Sequence, residues 1–127
     1  MNALRKLYKE LTSLHWEIGF LDNTFEGIVR GDKLKLTLVT HNFPNSWFAD
    51  PFILDVTDDT IIVLVEEVTK KISKGRISKL VIDRRNNYVI EKKVILERPG
   101  HLSFPIIYRK DDKIYVYPEN SEDGVLN

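Results

Sequence analysis

A stretch of this chain returns in diverged form about 50 residues later, and that repeat constrains the fold more than any other feature. The segment Trp47–Leu54 reads WFADPFIL, and the segment His101–Tyr108 reads HLSFPIIY. Pro51 aligns with Pro105, and three apolar residues follow each proline. A self-similar unit of roughly 50 residues made of short strands is typical of β-propeller blades.

Both copies continue with an acidic turn and then an apolar strand that ends in a glutamate. The turns are Asp58–Thr60 and Asp111–Lys113, and the strands are Ile61–Glu66 and Ile114–Glu119. One inserted residue before the first turn reconciles the two spacings. The alternative interpretation is a chance likeness between two hairpins.

Composition indicates one globular domain and excludes several classes of function. The chain has 127 residues, 43% hydrophobic and 30% charged, which is typical of a folded protein rather than a disordered one. Its 19 basic and 19 acidic residues balance, so charge gives no reason to expect nucleic acid or an anionic membrane as partner. The absence of cysteine excludes disulfides and thiolate metal sites. We find no phosphate loop, nucleophile elbow or zinc helix motif, and we predict no cofactor and no metal.

The N-terminal part predicts a short helix followed by two strands. Leucines at spacings of three and four predict an amphipathic helix over residues 1–14, as a packing element or as a partner-binding or membrane-surface helix. Strands are expected over His15–Leu21 and Lys33–Val39, with a capped helical turn over Phe25–Arg30 between them. No signal peptide or membrane span is apparent, so we expect a cytoplasmic protein.

The rest of the chain predicts an all-β fold of about one and a half propeller blades. A four-stranded antiparallel blade is expected over Pro51–Leu96, and a second sheet that begins at Phe104–Tyr117 is expected to pack face to face on it. We divide the chain into residues 1–46, with the helix and first strands, and residues 47–127, with the blades. An unfinished blade leaves an open strand edge, which predicts self-association. The rival expectation is that the N-terminal strands fold back and complete that blade.

Asp50 is the first candidate for chemistry, because it precedes Pro51 at the start of the innermost strand of the expected blade. The neighbouring rings of Trp47, Phe48 and Phe52 suit a sugar face and could raise the pKa of a carboxyl group. The alternative is that Asp50 only accepts hydrogen bonds in an Asp-Pro turn.

Further candidates for substrate binding are Glu66, His41 and His101. Glu66 and Glu67 are adjacent on a strand and so point to opposite faces, and Glu66 is the one that matches Glu119 in the repeat. The alternative for Glu66 is a structural ion pair with Arg76 or a loop lysine. For the two histidines, the alternative is that they are loop residues bonded to the backbone.

Five short runs carry a resemblance to a known family, and they are Trp47–Phe52, Val65–Glu67, Gly75–Ser78, His101–Pro105 and Tyr117–Asn120. They resemble the propeller domain at the N-terminal side of glucosamine inositolphosphorylceramide transferases. Bacterial relatives of that domain occur among surface-polysaccharide genes, notably in Bacteroides-like organisms. The domain is similar to the five-bladed propellers of arabinanase-, xylosidase- and invertase-type glycosidases, so the resemblance implies an incomplete five-bladed propeller.

The resemblance also implies roles for particular residues. Asp50 matches the general base of an inverting glycosidase, whereas Phe104 stands where a second, tuning acid is expected, and the blade with the proton donor is missing. Glu119 is a weak substitute for that donor. We therefore expect a glycosidase-like domain linked to surface-polysaccharide synthesis or trimming, incomplete and inactive as this chain. The alternatives are a non-catalytic carbohydrate-binding or scaffolding module, and a self-assembling strand-pairing protein.

Overall fold

The computed structural model of the protein describes residues 15–120, whose regular secondary structure is almost entirely β-strand. The N-terminal helix predicted before His15 and the strand predicted at Val125–Leu126 lie outside the described residues. The elements are β1 (Gly19–Leu21), α1 (Phe25–Arg30), β2 (Leu36–Leu38), β3 (Ser46–Val56), β4 (Thr60–Thr69), β5 (Arg76–Asp83), β6 (Tyr88–Leu96), β7 (Ser103–Lys110) and β8 (Lys113–Glu119).

The central element is a four-stranded antiparallel sheet in the order β3-β4-β5-β6, as the sequence predicted. Short turns connect its strands. Thr57 accepts the Thr60 N–H at 3.0 Å through its hydroxyl oxygen in the first turn. In the last turn Asn87 has φ 52°, a left-handed conformation that asparagine tolerates better than most residues. The sequence of turns therefore produces a simple meander.

The second hairpin, β7–β8, packs against one face of this central sheet. The core between them contains Leu64, Ile77 and Leu102, all at most 1% exposed, with Ile107 and Val116 from the hairpin packed against it. The Arg109 guanidinium also donates a hydrogen bond to the Leu54 carbonyl across the interface. The prediction of a second sheet packed on the first is confirmed.

The N-terminal segment packs on the opposite face of the central sheet through Ile18, Phe20 and Val39. β1 and β2 pair with each other in a separate two-stranded sheet, and not with β7 or β8. The rival expectation that these strands complete the second blade is therefore wrong. The core on this side contains eight buried residues: Ile18, Val39, Phe48, Val63, Val65, Leu80, Ile82 and Val89.

The N-terminal elements differ from the prediction mainly in their length and burial. The helical turn is confirmed, with the Thr24 hydroxyl accepting the Gly27 N–H at 3.1 Å as its cap. The strands are shorter than predicted, and the leucines expected on the buried face of β2 are exposed, among them Leu36 at 61%. Alternation predicts a buried face only where a second layer covers it, and none of the described residues covers this one.

The repeat is visible in the backbone of β3 and β7. Asp50 and Phe104 occupy equivalent positions before their prolines and have φ values of 49° and 48°. The pairing register shifts between Ala49 and Phe52 in one hairpin and between Ser103 and Ile106 in the other, so each repeat has the same bulge.

A second bulge explains the inserted residue in the first copy. The β3–β4 pairing shifts once more between Ile53 and Asp55, which places Leu54 as the additional residue before the turn. The β7–β8 pairing has no counterpart of this shift. The coarse prediction of antiparallel all-β structure is thus confirmed, and within residues 15–120 no sheet closes on itself.

Candidate functional site

The first bulge aims the Asp50 side chain at the adjacent strand. Ala49 pairs with Glu66 across the β3–β4 ladder, immediately before the register shifts. The left-handed conformation of Asp50 and the following proline then redirect the chain. As a result, the Asp50 carboxyl group lies near Glu66 and contributes to raising the pKa of the Glu66 carboxyl group.

Glu66 is the centre of a cluster of ionisable groups that we call the carboxylate cluster, consisting of Asp50, Glu66, His101 and Glu119. Glu66 is only 9% exposed, and its Oε1 lies 3.1 Å from His101 Nε2. Burial raises the pKa of the Glu66 carboxyl group, the adjacent imidazole of His101 opposes that shift, and Asp50 and Glu119 add to it. Four of the residues selected from the sequence are thus brought together.

His101 is held in place by the chain that leads into β5. The Gly75 N–H donates to His101 Nδ1 at 3.0 Å, and the Leu102 N–H donates to the Gly75 carbonyl at 2.9 Å. A Cβ atom at Gly75 would lie 2.6 Å from Glu66 Oε1 and would collide with the Leu102 carbonyl oxygen. With Nδ1 accepting a hydrogen bond, neutral His101 carries its proton on Nε2 and donates it to Glu66.

The second repeat contributes the exposed side of the cluster. Glu119 pairs with Ser103 across the β7–β8 ladder, as Glu66 pairs with Ala49, and the Ser103 hydroxyl lies 3.5 Å from Glu119 Oε2. Glu119 itself is exposed. Phe104, the counterpart of Asp50, is 46% exposed and packs edge-on against Phe52, with 5.0 Å between the ring centroids.

The remaining predicted residues lie elsewhere. Phe48 is 2% exposed in the core on the other face of the sheet, so its ring presents no open face to a sugar. His41 packs against Phe48 with centroids 4.9 Å apart, and burial lowers the pKa of its imidazole. Trp47 packs against His15, with 5.1 Å between their centroids.

A second ionic group, the Glu67 network, was missed by the sequence reasoning. Glu67 is fully buried and accepts hydrogen bonds from Ser46 at 2.7 Å, Ser78 at 2.6 Å, Arg76 at 3.1 Å and Lys92. Burial alone would raise the pKa of Glu67, but these four donors outweigh it and lower the pKa to about 2.

The Glu67 network also corrects one alternative. The expected partner of Arg76 was Glu66, but Arg76 pairs with Glu67 at 3.1 Å and with Glu97 at 3.2 Å, while Glu66 pairs with His101. Alternation along β4 could have predicted this network, because it places Glu67 on the face of Val63 and Val65, where a carboxylate needs internal partners.

Among residues 15–120 there is no group of three or more histidine or acidic side chains arranged to hold a metal ion. The same part of the chain contains no helix that is long and apolar enough to cross a membrane.

Comparison with known proteins supports one family. Residues 35–127 match the family described as "Glucosamine inositolphosphorylceramide transferase 1, N-terminal". The chain is 30% identical over 84 residues to glucosamine inositolphosphorylceramide transferase 1 of Arabidopsis thaliana, a match that covers 66% of this chain and 11% of that protein. The chain therefore corresponds to a small part of the length of that relative. No solved structure matches it.

Proposed function

The chain belongs to the family of the N-terminal domain of glucosamine inositolphosphorylceramide transferase 1, and from this premise we propose that it is a sugar-binding domain that serves glycosyl transfer. The carboxylate cluster is the single observation that carries the proposal. Asp50, Glu66 and Glu119 supply acceptors for sugar hydroxyls, and the half-exposed ring of Phe104 adjoins them through Ser103. Such a combination of acids and an open aromatic ring suits a pyranose.

We propose an amino sugar as the preferred ligand. Three carboxyl groups against one histidine give the cluster an excess of acidic groups, which favours an ammonium group over a hydroxyl. The name of the Arabidopsis relative, which includes glucosamine, agrees with this choice.

The test is an NMR titration of the ¹⁵N-labelled chain with glucosamine, N-acetylglucosamine and glucose. We expect glucosamine to shift the amide signals of Gly75, Glu66 and Ser103 at lower concentration than the other two sugars. Asp50→Asn should weaken this effect, whereas Asp58→Asn, in the exposed β3–β4 turn, should leave it unchanged. Equal, non-saturating responses to all three sugars would show that the cluster is not a sugar site.

A second candidate function is hydrolysis in a glycosidase-like propeller. It is favoured by the two equivalent bulges, which put Asp50 and Phe104 at matching positions of β3 and β7, and by the contact of the Phe104 ring with Phe52. Asp50 is then the general base, and Asp50→Asn should reduce turnover by about 10²–10⁴-fold. The assay is release of aryl leaving groups from a panel of aryl glycosides. Absence of turnover in the wild type, or full turnover in the variant, would reject this candidate.

We also propose self-association through the outer face of β7–β8. Ile106, Tyr108, Tyr115 and Tyr117 form cross-strand pairs there and are 43–58% exposed. Leu64, the first-repeat counterpart of Tyr117, packs towards β7–β8, so a second copy is the expected occupant of the equivalent face. Light scattering at micromolar concentration should give a mass above that of one chain, and Tyr108→Lys should reduce it. A monomer mass for the wild type would reject the interface.

A further inference from the structure

Three leucines of the β1–β2 sheet form an apolar surface that faces away from the core. Residues directly opposite each other in an antiparallel pair share a face, and Leu21 pairs with Leu36 while Gly19 pairs with Leu38. Phe20, on the other face, packs against the core. Leu21, Leu36 and Leu38 therefore lie on the outer face, which we call the leucine face, and they are 44%, 61% and 49% exposed.

Gly19 allows two of these leucines to lie close to β1. A Cβ atom at Gly19 would lie 2.8 Å from Leu36 Cδ1 and 3.4 Å from Leu38 Cδ2. Both side chains thus lean over the position where another residue would place its own side chain. The leucine face is consequently low and apolar, a surface that suits contact with a second apolar element.

We propose that residues 1–14 dock on the leucine face as an amphipathic helix. These residues lie outside the described part of the chain, and their sequence contains four leucines at spacings of three and four: Leu4, Leu7, Leu11 and Leu14. The positions on the other side of such a helix are basic and polar. Docking would therefore bury one apolar row against another and leave the charged side in solvent.

The two apolar surfaces match in length. On an α-helix the row from Leu4 to Leu14 spans about 15 Å. On the sheet side, Leu34 continues the alternation of Leu36 and Leu38 and is 57% exposed. The distance from Leu34 to Leu38 is about 13 Å at the rise of a β-strand. One short helix is thus long enough to cover the leucine face from end to end.

The connection to the leucine face is short. His15 precedes Gly19 by four residues, which span at most about 14 Å when extended. The Val39 N–H donates to the Ile18 carbonyl at 2.9 Å, so the chain lies beside the strand partner of β1 before β1 begins. A segment attached by a short linker has an effective concentration on the order of millimolar. Residues 1–14 are therefore favoured as the occupant over a second copy of the chain or another protein.

The test is paramagnetic broadening in the ¹⁵N-labelled chain with a nitroxide attached to Lys9→Cys. The chain contains no cysteine, so the label has a single site, and position 9 is opposite the leucine row on a helix. We expect the amide signals of Leu36 and Leu38 to be lost. Signals of β7–β8, on the other side of the central sheet, should be retained.

Two variants of the labelled chain test whether the leucines hold the helix. Leu36→Asp should restore the Leu38 signal, because a carboxylate on the leucine face opposes burial. Ile90→Asp is the matched control, since Ile90 is an apolar residue of β6 with 57% exposure, and it should leave the Leu38 signal lost. Unchanged signals of β4 and β5 in both variants would verify that the fold is kept.

Three results would overturn the proposal. The first is a Leu38 signal that persists in the nitroxide-labelled chain, and the second is a signal that Leu36→Asp fails to restore. The third is loss of the Leu38 signal when a ¹⁵N-labelled chain without nitroxide is mixed with a nitroxide-labelled chain without ¹⁵N. That third result would identify a second copy as the occupant of the leucine face.

Discussion

Glu66 and Glu67 are neighbours on β4, yet the protein treats their carboxyl groups in opposite ways. Glu66 faces the β7–β8 hairpin with two other acids and one histidine, and the pKa of its carboxyl group is raised. Glu67 faces the N-terminal layer with two hydroxyls, an arginine and a lysine, and its pKa is lowered to about 2. Both side chains are buried, so the supply of donors, rather than burial, determines the direction in which the pKa of each carboxyl group is shifted.

The partners of the two glutamates differ in the same way as those of structural and functional carboxyl groups. The Glu67 network satisfies both carboxylate oxygens from inside the protein, and it ties β4 to β5 and β6. The carboxylate cluster lies beside the exposed Glu119 and keeps acidic groups close together at the cost of mutual repulsion. Proximity of like charges is typical of functional sites, whereas a fully donor-matched carboxylate is typical of a structural one.

Removal of the Glu67 charge should give the largest effect. Glu67→Gln leaves Arg76 and Lys92 without their buried counter-charge, and we expect a loss of about 3 kcal/mol in the free energy of unfolding. The matched variant Glu66→Gln removes one of three clustered acids and should cost much less. Urea denaturation of both variants measures the difference, and equal losses would remove the distinction between the two faces.

The close packing behind the carboxylate cluster gives the next largest effect. Gly75→Ala places a methyl group against the Leu102 carbonyl and Glu66 Oε1, and we expect it to destabilise the protein by about 2 kcal/mol. It should also change the His101 ring signals in NMR spectra. Gly31→Ala is the control, because Gly31 has φ 84° with open space around it, so it tests backbone strain without a collision. An unperturbed His101 in Gly75→Ala would contradict the close contact between Gly75 and His101.

Backbone strain at the bulge should give a smaller effect. Asp50→Gly and Asp50→Ala both remove the carboxyl group, but only glycine suits φ 49°, so the glycine variant should be more stable by about 1 kcal/mol. The same pair of substitutions at Phe104, with φ 48°, should give the same difference if the two bulges are equivalent. Thermal unfolding of the four variants provides the measurement.

The pH dependence of stability should show the two glutamates with opposite signs. The folded state holds the Glu66 proton more tightly than the unfolded state, so stability falls as pH rises from the ordinary glutamate pKa through the raised one. The lowered pKa of Glu67 has the reverse sign, so its contribution is present above 4.5 and is lost as pH falls towards 2. Glu66→Gln should flatten the upper slope alone and Glu67→Gln the lower one alone. If the free energy of unfolding varies with pH in the same way in the wild type and in both variants, the opposite pKa shifts assigned to Glu66 and Glu67 are wrong.

Local patterns in the sequence predicted much of the fold. Alternation and turn residues were sufficient for the central meander and the second hairpin. The two bulges were not predicted, although they lie at the repeated proline. The cap at Thr24 was sufficient for the short helix. Burial was harder to predict. Whether the leucines of β2 are buried depends on which layer covers that strand, and that information is not local.

Only part of the site was predicted, because some of its contacts also depend on information that is not local. Repeat matching selected Glu66 and Glu119, since equivalent positions of a repeat occupy equivalent places in space, and Asp50 was selected from its place before Pro51. It could not find the clamp between Gly75 and His101, which joins residues 26 apart through a loop of no recognisable pattern. Glu67 was not selected because Glu66, and not Glu67, matches a glutamate of the second repeat. Its partners also come from three other segments, which the sequence alone does not bring together.

The shared bulge also has a consequence for how this domain varies. A left-handed residue before a proline directs one side chain out of the strand by backbone geometry alone, and Asp50 and Phe104 demonstrate that an acid and an aromatic residue are both accommodated there. Since the backbone specifies the direction, the identity of the side chain is free to change without a change of fold. Each repeat thus provides one position at which the side chain can change while the backbone is kept.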